Sequence, residues 1–145
     1  MNYRIRQAAH TLWQGGVIAY PTEGVWGLGC LPHESDAIEY ILDIKHRAPD
    51  KGLILVAANF EQLEPFIGEL PEKALGKMLD SWPGPVTWVV PAAEGVAEEL
   101  TGGRTTIALR VSAHPVVQAL CEAADSALVS TSANRSGRQP ARSIL

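Results

Sequence analysis

Thr105-Thr-Ile-Ala-Leu-Arg-Val111, followed by a helical segment from Pro115 to Glu122 and by Ala127-Leu-Val-Ser130, is the stretch on which the fold class turns. Its first part alternates: Ile107, Leu109 and Val111 would share one face of a strand, and Thr106, Ala108 and Arg110 the other. The stretch therefore reads strand, helix, strand. The same interleaving continues upstream without a long all-strand run, which predicts an α/β or α+β single domain built on a twisted mixed sheet with flanking helices.

Outward from there, Ile5, Ala8, Ala9 and Leu12 recur at helical spacing and Gly15-Gly16 supplies a stop, so a first helix spans Ile5 to Trp13. Val17 to Tyr20 is a short apolar strand closed by Pro21, and Val25 to Cys30 is a second one rich in glycine. Ile38, Ile41 and Leu42 mark a helix from about Asp36 to Lys45, which Pro49 keeps from continuing far. Leu53 to Ala57 reads as a buried strand. Asn59 with Gln62 resembles a capping box for a short helix through Phe66, and Pro71 would stand in the first turn of another through Leu79. Pro83-Gly84-Pro85 is a turn, and Val86 to Val90 a strand.

The composition suits one soluble domain: 145 residues, 46% hydrophobic and 19% charged, enough chain to hold a core without disulfide or metal staples. The longest apolar run, Leu53 to Ala58, is far short of the roughly 20 residues that span a bilayer. His10, Thr11 and Gln14 interrupt any signal-peptide core, so a cytoplasmic protein without membrane contact is expected. Cys30 and Cys121 have no C-x-x-C spacing and read as reduced thiols packed as small hydrophobes. The formal net charge of −4 argues against a generally basic nucleic-acid binder. That average hides an asymmetry, because residues 59–100 hold eight acids and two lysines, whereas residues 101–145 hold five arginines and two acids. An anionic ligand should meet the Arg135, Arg138, Arg142 segment and the loop of Lys45, Arg47 and Lys51.

No Walker loop, G-x-S-x-G or H-E-x-x-H motif occurs. Gly27-Leu28-Gly29 begins like a dinucleotide fingerprint, but Pro32 stands where the third glycine belongs. His10, His33, His46 and His114 do not cluster at metal-ligand spacing and read as surface or capping residues, so no protein metal site is expected. In extended chain before Pro49, Lys45 and Arg47 would project to one side, a point charge and a planar fork suited to polyphosphate; otherwise they are a solvated helix C-terminus. Ser130, Ser132 and Asn134 would line one face after the last strand and could hold a phosphate or an amino acid, or simply form a polar turn. Arg110 beside small Ala108 leaves room for a carboxylate or phosphate, the alternative being an ion pair with an acid such as Glu23. Thr22 follows a strand, where α/β sheets tend to present ligand groups.

Taken together, Tyr20-Pro-Thr-Glu23 with Gly27 and Gly29, Lys45-x-Arg47, Pro83-Gly-Pro-Val-Thr87, Ala108-Leu-Arg-Val111 with His114-Pro115, and Ser130-Thr-Ser-Ala-Asn134 with Ser136-Gly137 occur in the order seen in the YrdC/Sua5 family. Lys51-Gly-Leu-Ile-Leu55 and Ala57-Ala-Asn59 resemble its short, single-domain bacterial branch. The resemblance covers Val17 to about Arg142. It implies the twisted YrdC/RibB-like fold, with residues 1–145 as one YrdC-like domain holding a large, positively lined cavity. The activity implied is threonylcarbamoyl-AMP synthesis, in which L-threonine, bicarbonate and ATP give threonylcarbamoyl-adenylate and pyrophosphate, the first step of the t6A modification of tRNA. Lys45, Arg47, Ser132 and Asn134 would then hold the nucleotide, with Thr106 a further candidate, and Lys45 and Arg47 would serve catalysis by neutralising phosphate charge. Thr22, Arg110 and Ser130 would hold threonine. Mg2+ is expected on the triphosphate, and a threonylcarbamoyl transferase complex downstream. The family also has a further segment with a P-S-T-hydrophobic motif, beyond the position of Leu145. A different class of function, an RNA-binding or ribosome-maturation protein taking tRNA or double-stranded RNA into the same basic cavity, is the alternative; the clustered arginines favour it and the net charge opposes it.

Overall fold

In this computed structural model, residues 2–22, 26–45 and 53–132 are described, with Lys45 and Ser132 as backbone only. The elements follow one another as α1 (Tyr3–Trp13), β1 (Ile18–Pro21), β2 (Trp26–Cys30), α2 (Ser35–Lys45), β3 (Ile54–Ala57), α3 (Glu72–Ser81), β4 (Trp88–Pro91), α4 (Glu98–Thr101), β5 (Thr106–Val111), α5 (Pro115–Ala124) and β6 (Leu128–Ser132). The six strands form one sheet in the order β1-β2-β6-β3-β5-β4. Among the described strands only β3 and β5 pair in parallel; the other neighbours are antiparallel. The mixed sheet expected from the interleaved pattern is thus observed.

Local chemistry sets most boundaries. The Asn2 side chain accepts from the Arg4 amide at 2.7 Å and opens α1. The helix stops where Gly15 adopts φ +81°, a left-handed conformation that glycine takes without strain, and where the Gly16 amide donates back to Thr11 at 2.9 Å. His114 caps α5, its Nδ1 accepting from the Val116 amide at 3.1 Å, so this histidine is structural as its position suggested.

Some boundaries differ from expectation. Pro71 lies outside α3 as its N-cap, with an extended ψ of 142°, because the chain turns helical only at Glu72. The Asn59 cap forms, Oδ1 accepting from the Gln62 amide at 3.1 Å, but Gln62 accepts from Ala58 rather than from Asn59. The short helix splits into two 3-10 turns, Phe60–Gln62 and Glu64–Phe66. β4 begins at Trp88 rather than Val86, since the Val86 carbonyl is taken by the Trp82 indole at 2.8 Å. α4 has no counterpart in the sequence reading; four residues carry too little periodicity to reveal it.

The sheet has a core on each face. On one, Leu55, Ala57, Ile107, Leu109, Val111 and Val129 pack under α2 and α3 with Met78 and Trp82. On the other, α1 and α5 cover Tyr20, Val56 and Leu128 through Leu12, Val117, Leu120 and Cys121. Cys30 belongs to the first core and Cys121 to the second, and both are free thiols. Burial pushes each up to about 12, so both stay protonated. Among the described residues, no helix is long and apolar enough to cross a membrane.

Candidate functional site

The alternation read in β5 is present: Ile107, Leu109 and Val111 are buried while Thr106, Ala108 and Arg110 are half-buried. Strand register shows what lies beside them. Ser130 pairs with Gly29 on one side and Ile54 on the other, and Ile54 pairs with Ala108. Leu128 pairs with Val56, and Val56 with Arg110. Directly opposed residues share a face, so Ser130, Ala108 and Arg110 stand on the same side of the sheet, the side that α1 and α5 cover only in part. Ser132 lies two pairs further along, opposite Gly27.

Arg110 shows the clearest demand for a ligand. Its Nε is buried and has no hydrogen-bond partner among the described residues, an arrangement that costs free energy unless something completes it. Among the same residues no carboxylate forms an ion pair with it, while Glu23, the acid named as its alternative partner, lies outside the described residues. Ser130 is buried at 7% exposure and accepts a hydrogen bond from the Tyr20 phenol at 2.7 Å. Burial pushes the Tyr20 phenol well above its ordinary range, and the hydrogen bond with Ser130 and, more weakly, the Arg110 charge oppose this in part.

The remaining residues converge on one end of the sheet. β1 ends just before Thr22, β6 ends at Ser132, and β5 begins at Thr106. Thr22 is half-buried, its Cγ2 close to Gly27. α2 starts at Ser35, just beyond the opposite end of β2, and its 11 residues run back over about 16 Å, bringing the Lys45 backbone toward the Thr22 end. The chain then re-enters the sheet at Ile54, between β6 and β5. The side chains of Lys45 and Ser132, and all of Arg47 and Asn134, lie outside the described residues. Two surface depressions of about 430 and 320 Å3 share Pro32, His33, Pro65 and Phe66 at the other end of the sheet and include none of these residues.

Tyr20 was read from sequence only as the end of a strand within a motif. The glycine pair opposite it was the available signal. Gly27-Leu28-Gly29 lies in the strand expected over Val25 to Cys30, and its two glycines lie under the tyrosine ring.

Comparison with known proteins matches the chain to one family over most of its length. A family model named Sua5/yciO/yrdC, described as telomere recombination, matches residues 10–144. A protein of Halorhodospira halophila named threonylcarbamoyl-AMP synthase is 53% identical over 98% of this chain, which spans 74% of that relative. A protein of the same name from Cellvibrio japonicus is 49% identical over 99% of the chain and 76% of its own length. Among solved structures, P. abyssi Sua5 complexed with L-threonine superimposes with a TM-score of 0.90 at 39% identity, covering 96% of this chain and 41% of that one. E. coli YciO does so with a TM-score of 0.84 at 30% identity, covering 97% and 68%. These likenesses favour the enzyme over the RNA-binding alternative. With the motifs in order, the sheet superimposable and the match running from His10 almost to the last residue, the chain belongs to the Sua5/YciO/YrdC family.

Proposed function

We propose that this chain is a cytoplasmic threonylcarbamoyl-AMP synthase, joining L-threonine, bicarbonate and ATP. The observation that carries the proposal is the buried Nε of Arg110, without a hydrogen-bond partner among the described residues, on the same sheet face as the Ser130 hydroxyl. An amino-acid carboxylate supplies the missing acceptor, and guanidinium matches its geometry. Thr22 completes the threonine site.

The threonine amine attacks bicarbonate carbon with loss of water, leaving a carbamate. A carbamate oxygen then attacks the α-phosphorus of ATP, the bond to the β-phosphate breaks, and pyrophosphate departs. Such a transfer requires alignment and charge neutralisation rather than a protein nucleophile. Lys45 and Arg47 supply the neutralising charge, and Thr106, Ser132 and Asn134 bind the nucleotide. The described side chains of the open face, Thr106, Ala108, Arg110 and Ser130, include no carboxylate to cage a divalent ion. Magnesium would enter with ATP, its charge offsetting that of the phosphates and most of its ligands being phosphate and water oxygens rather than protein carboxylates. The adenylate passes to a threonylcarbamoyl transferase complex that modifies tRNA.

The test is pyrophosphate release from ATP. It should require L-threonine and bicarbonate together. Release that is indifferent to either one refutes the proposal, and tight tRNA binding that persists at high salt would favour the RNA-binding reading instead.

A further inference from the structure

We infer that Tyr20 is a positioning residue for threonine recognition: its phenol fixes the direction in which the Ser130 hydroxyl can donate. The inference rests on the assignment of Ser130 to threonine made above.

Three features of the sheet lead to it. First, Tyr20 is held without freedom. It is 2% exposed, and its ring lies flat across β2: a Cβ on Gly29 would stand 2.7 Å from Cε1, and one on Gly27 3.2 Å from Cζ. Neither glycine has a positive φ, so what these positions require is space and not an unusual backbone. Second, the ring delivers its hydroxyl to Ser130 Oγ at 2.7 Å, across the β2–β6 pair. A serine hydroxyl has one hydrogen and two lone pairs. Once a lone pair is taken by Tyr20, the serine hydrogen is directed away from the tyrosine, on the side where half-buried Ile54 and then Ala108 stand in register, with Arg110 two residues along β5 from Ala108. Third, burial pushes the phenol well above its ordinary range, so it stays protonated near neutral pH and can donate.

Ser130 is thereby a donor toward the ligand, as is the Arg110 Nε. Two donors on one face select an oxygen acceptor such as the threonine carboxylate. A serine free to rotate would lose part of its binding to orientational averaging. The tyrosine acts through Ser130 and need not touch the substrate.

The experiment is calorimetric titration of the full chain with L-threonine and, separately, with ATP, for Tyr20→Phe, Ser130→Ala and the double variant. Phe keeps the ring over Gly27 and Gly29 and removes only the donor. Tyr20→Phe should weaken threonine about fivefold, the worth of one ordinary hydrogen bond, with ATP affinity unchanged. In the Ser130→Ala background the same substitution should have no further effect. A Tyr20→Phe defect of equal size in both backgrounds overturns the inference, as does a loss of melting temperature with threonine affinity intact. If Ser130→Ala weakens threonine and Tyr20→Phe does not, the inference alone fails. If Ser130→Ala itself leaves threonine binding unchanged, the assignment of Ser130 fails and the inference with it.

Discussion

Gly29→Ala puts the packing of Tyr20 to a direct test. The added methyl would lie 2.7 Å from Tyr20 Cε1 and 2.7 Å from the Val129 carbonyl oxygen, closer than real Cβ contacts allow. The carbonyl belongs to the sheet backbone, and Val129 pairs with Cys30 and Leu55, so it cannot withdraw without breaking the ladder. The ring is the part that must yield, yet it is 2% exposed and packed among Leu12, Val56 and Leu128. Overpacking of this kind costs about 1–3 kcal/mol, and tilting the ring away from Ser130 forfeits about 1 kcal/mol more. Alanine's smaller unfolded-state entropy returns about 0.4–1 kcal/mol. A net loss of about 1–3.5 kcal/mol remains, equivalent to a drop in melting temperature on the order of 3–12 °C for a chain of this size. Urea denaturation and thermal melting followed by circular dichroism measure it, and threonine titration should show weakened binding in the surviving folded fraction. Unchanged or raised stability would refute the packing argument.

Gly76→Ala should act in the opposite direction: Gly76 lies within α3 with nothing within 4 Å of a Cβ, so the substitution should raise stability by about 0.5–1 kcal/mol in the same urea assay. Arg110→Lys keeps the charge and loses the planar fork. L-threonine affinity should fall while ATP affinity changes much less, and a lower melting temperature with intact threonine binding would show Arg110 to be only a structural ion-pair partner. Lys45→Ala and Arg47→Ala should each reduce adenylate formation about tenfold or more, the worth of one charge-assisted contact, without altering the circular dichroism spectrum. Finally, burial pushes the Cys30 and Cys121 thiols up to about 12 from an ordinary value near 9.0. Between those values the unfolded chain has released protons that the folded one retains, so stability is fully present below about pH 9 and falls as pH rises toward 12. Thiol alkylation in the folded protein at pH 8 should accordingly be slow, and should accelerate on unfolding; rapid alkylation of either thiol without unfolding would contradict its burial.

Much of the fold is written locally. The period-2 pattern of Thr106 to Val111 corresponds residue for residue to observed burial, because the identity of each side chain decides which face of a strand can leave water. The stop at Gly15, the capping role of His114 and the interleaving of helix and strand are equally local, each set by atoms a few residues apart. The family motifs were also legible, and with them the function class. Other features depend on partners far away in sequence. That β6 lies between β2 and β3, and that β3 and β5 run in parallel, follow from how two helix layers cover the two faces of the sheet, which no short window contains. The purpose of Gly27 and Gly29 is hidden for the same reason: the sequence places them in a strand, but only the sheet shows them to be the floor beneath Tyr20, whose hydrogen-bond partner Ser130 is 110 residues away. Composition and periodicity determined which residues would be buried and which polar groups would stand at strand ends. Only the tertiary structure decided that Tyr20, Ser130 and Arg110 share one face, because convergence on a site is a property of strand order and register, and these are chosen by the packing of the whole chain.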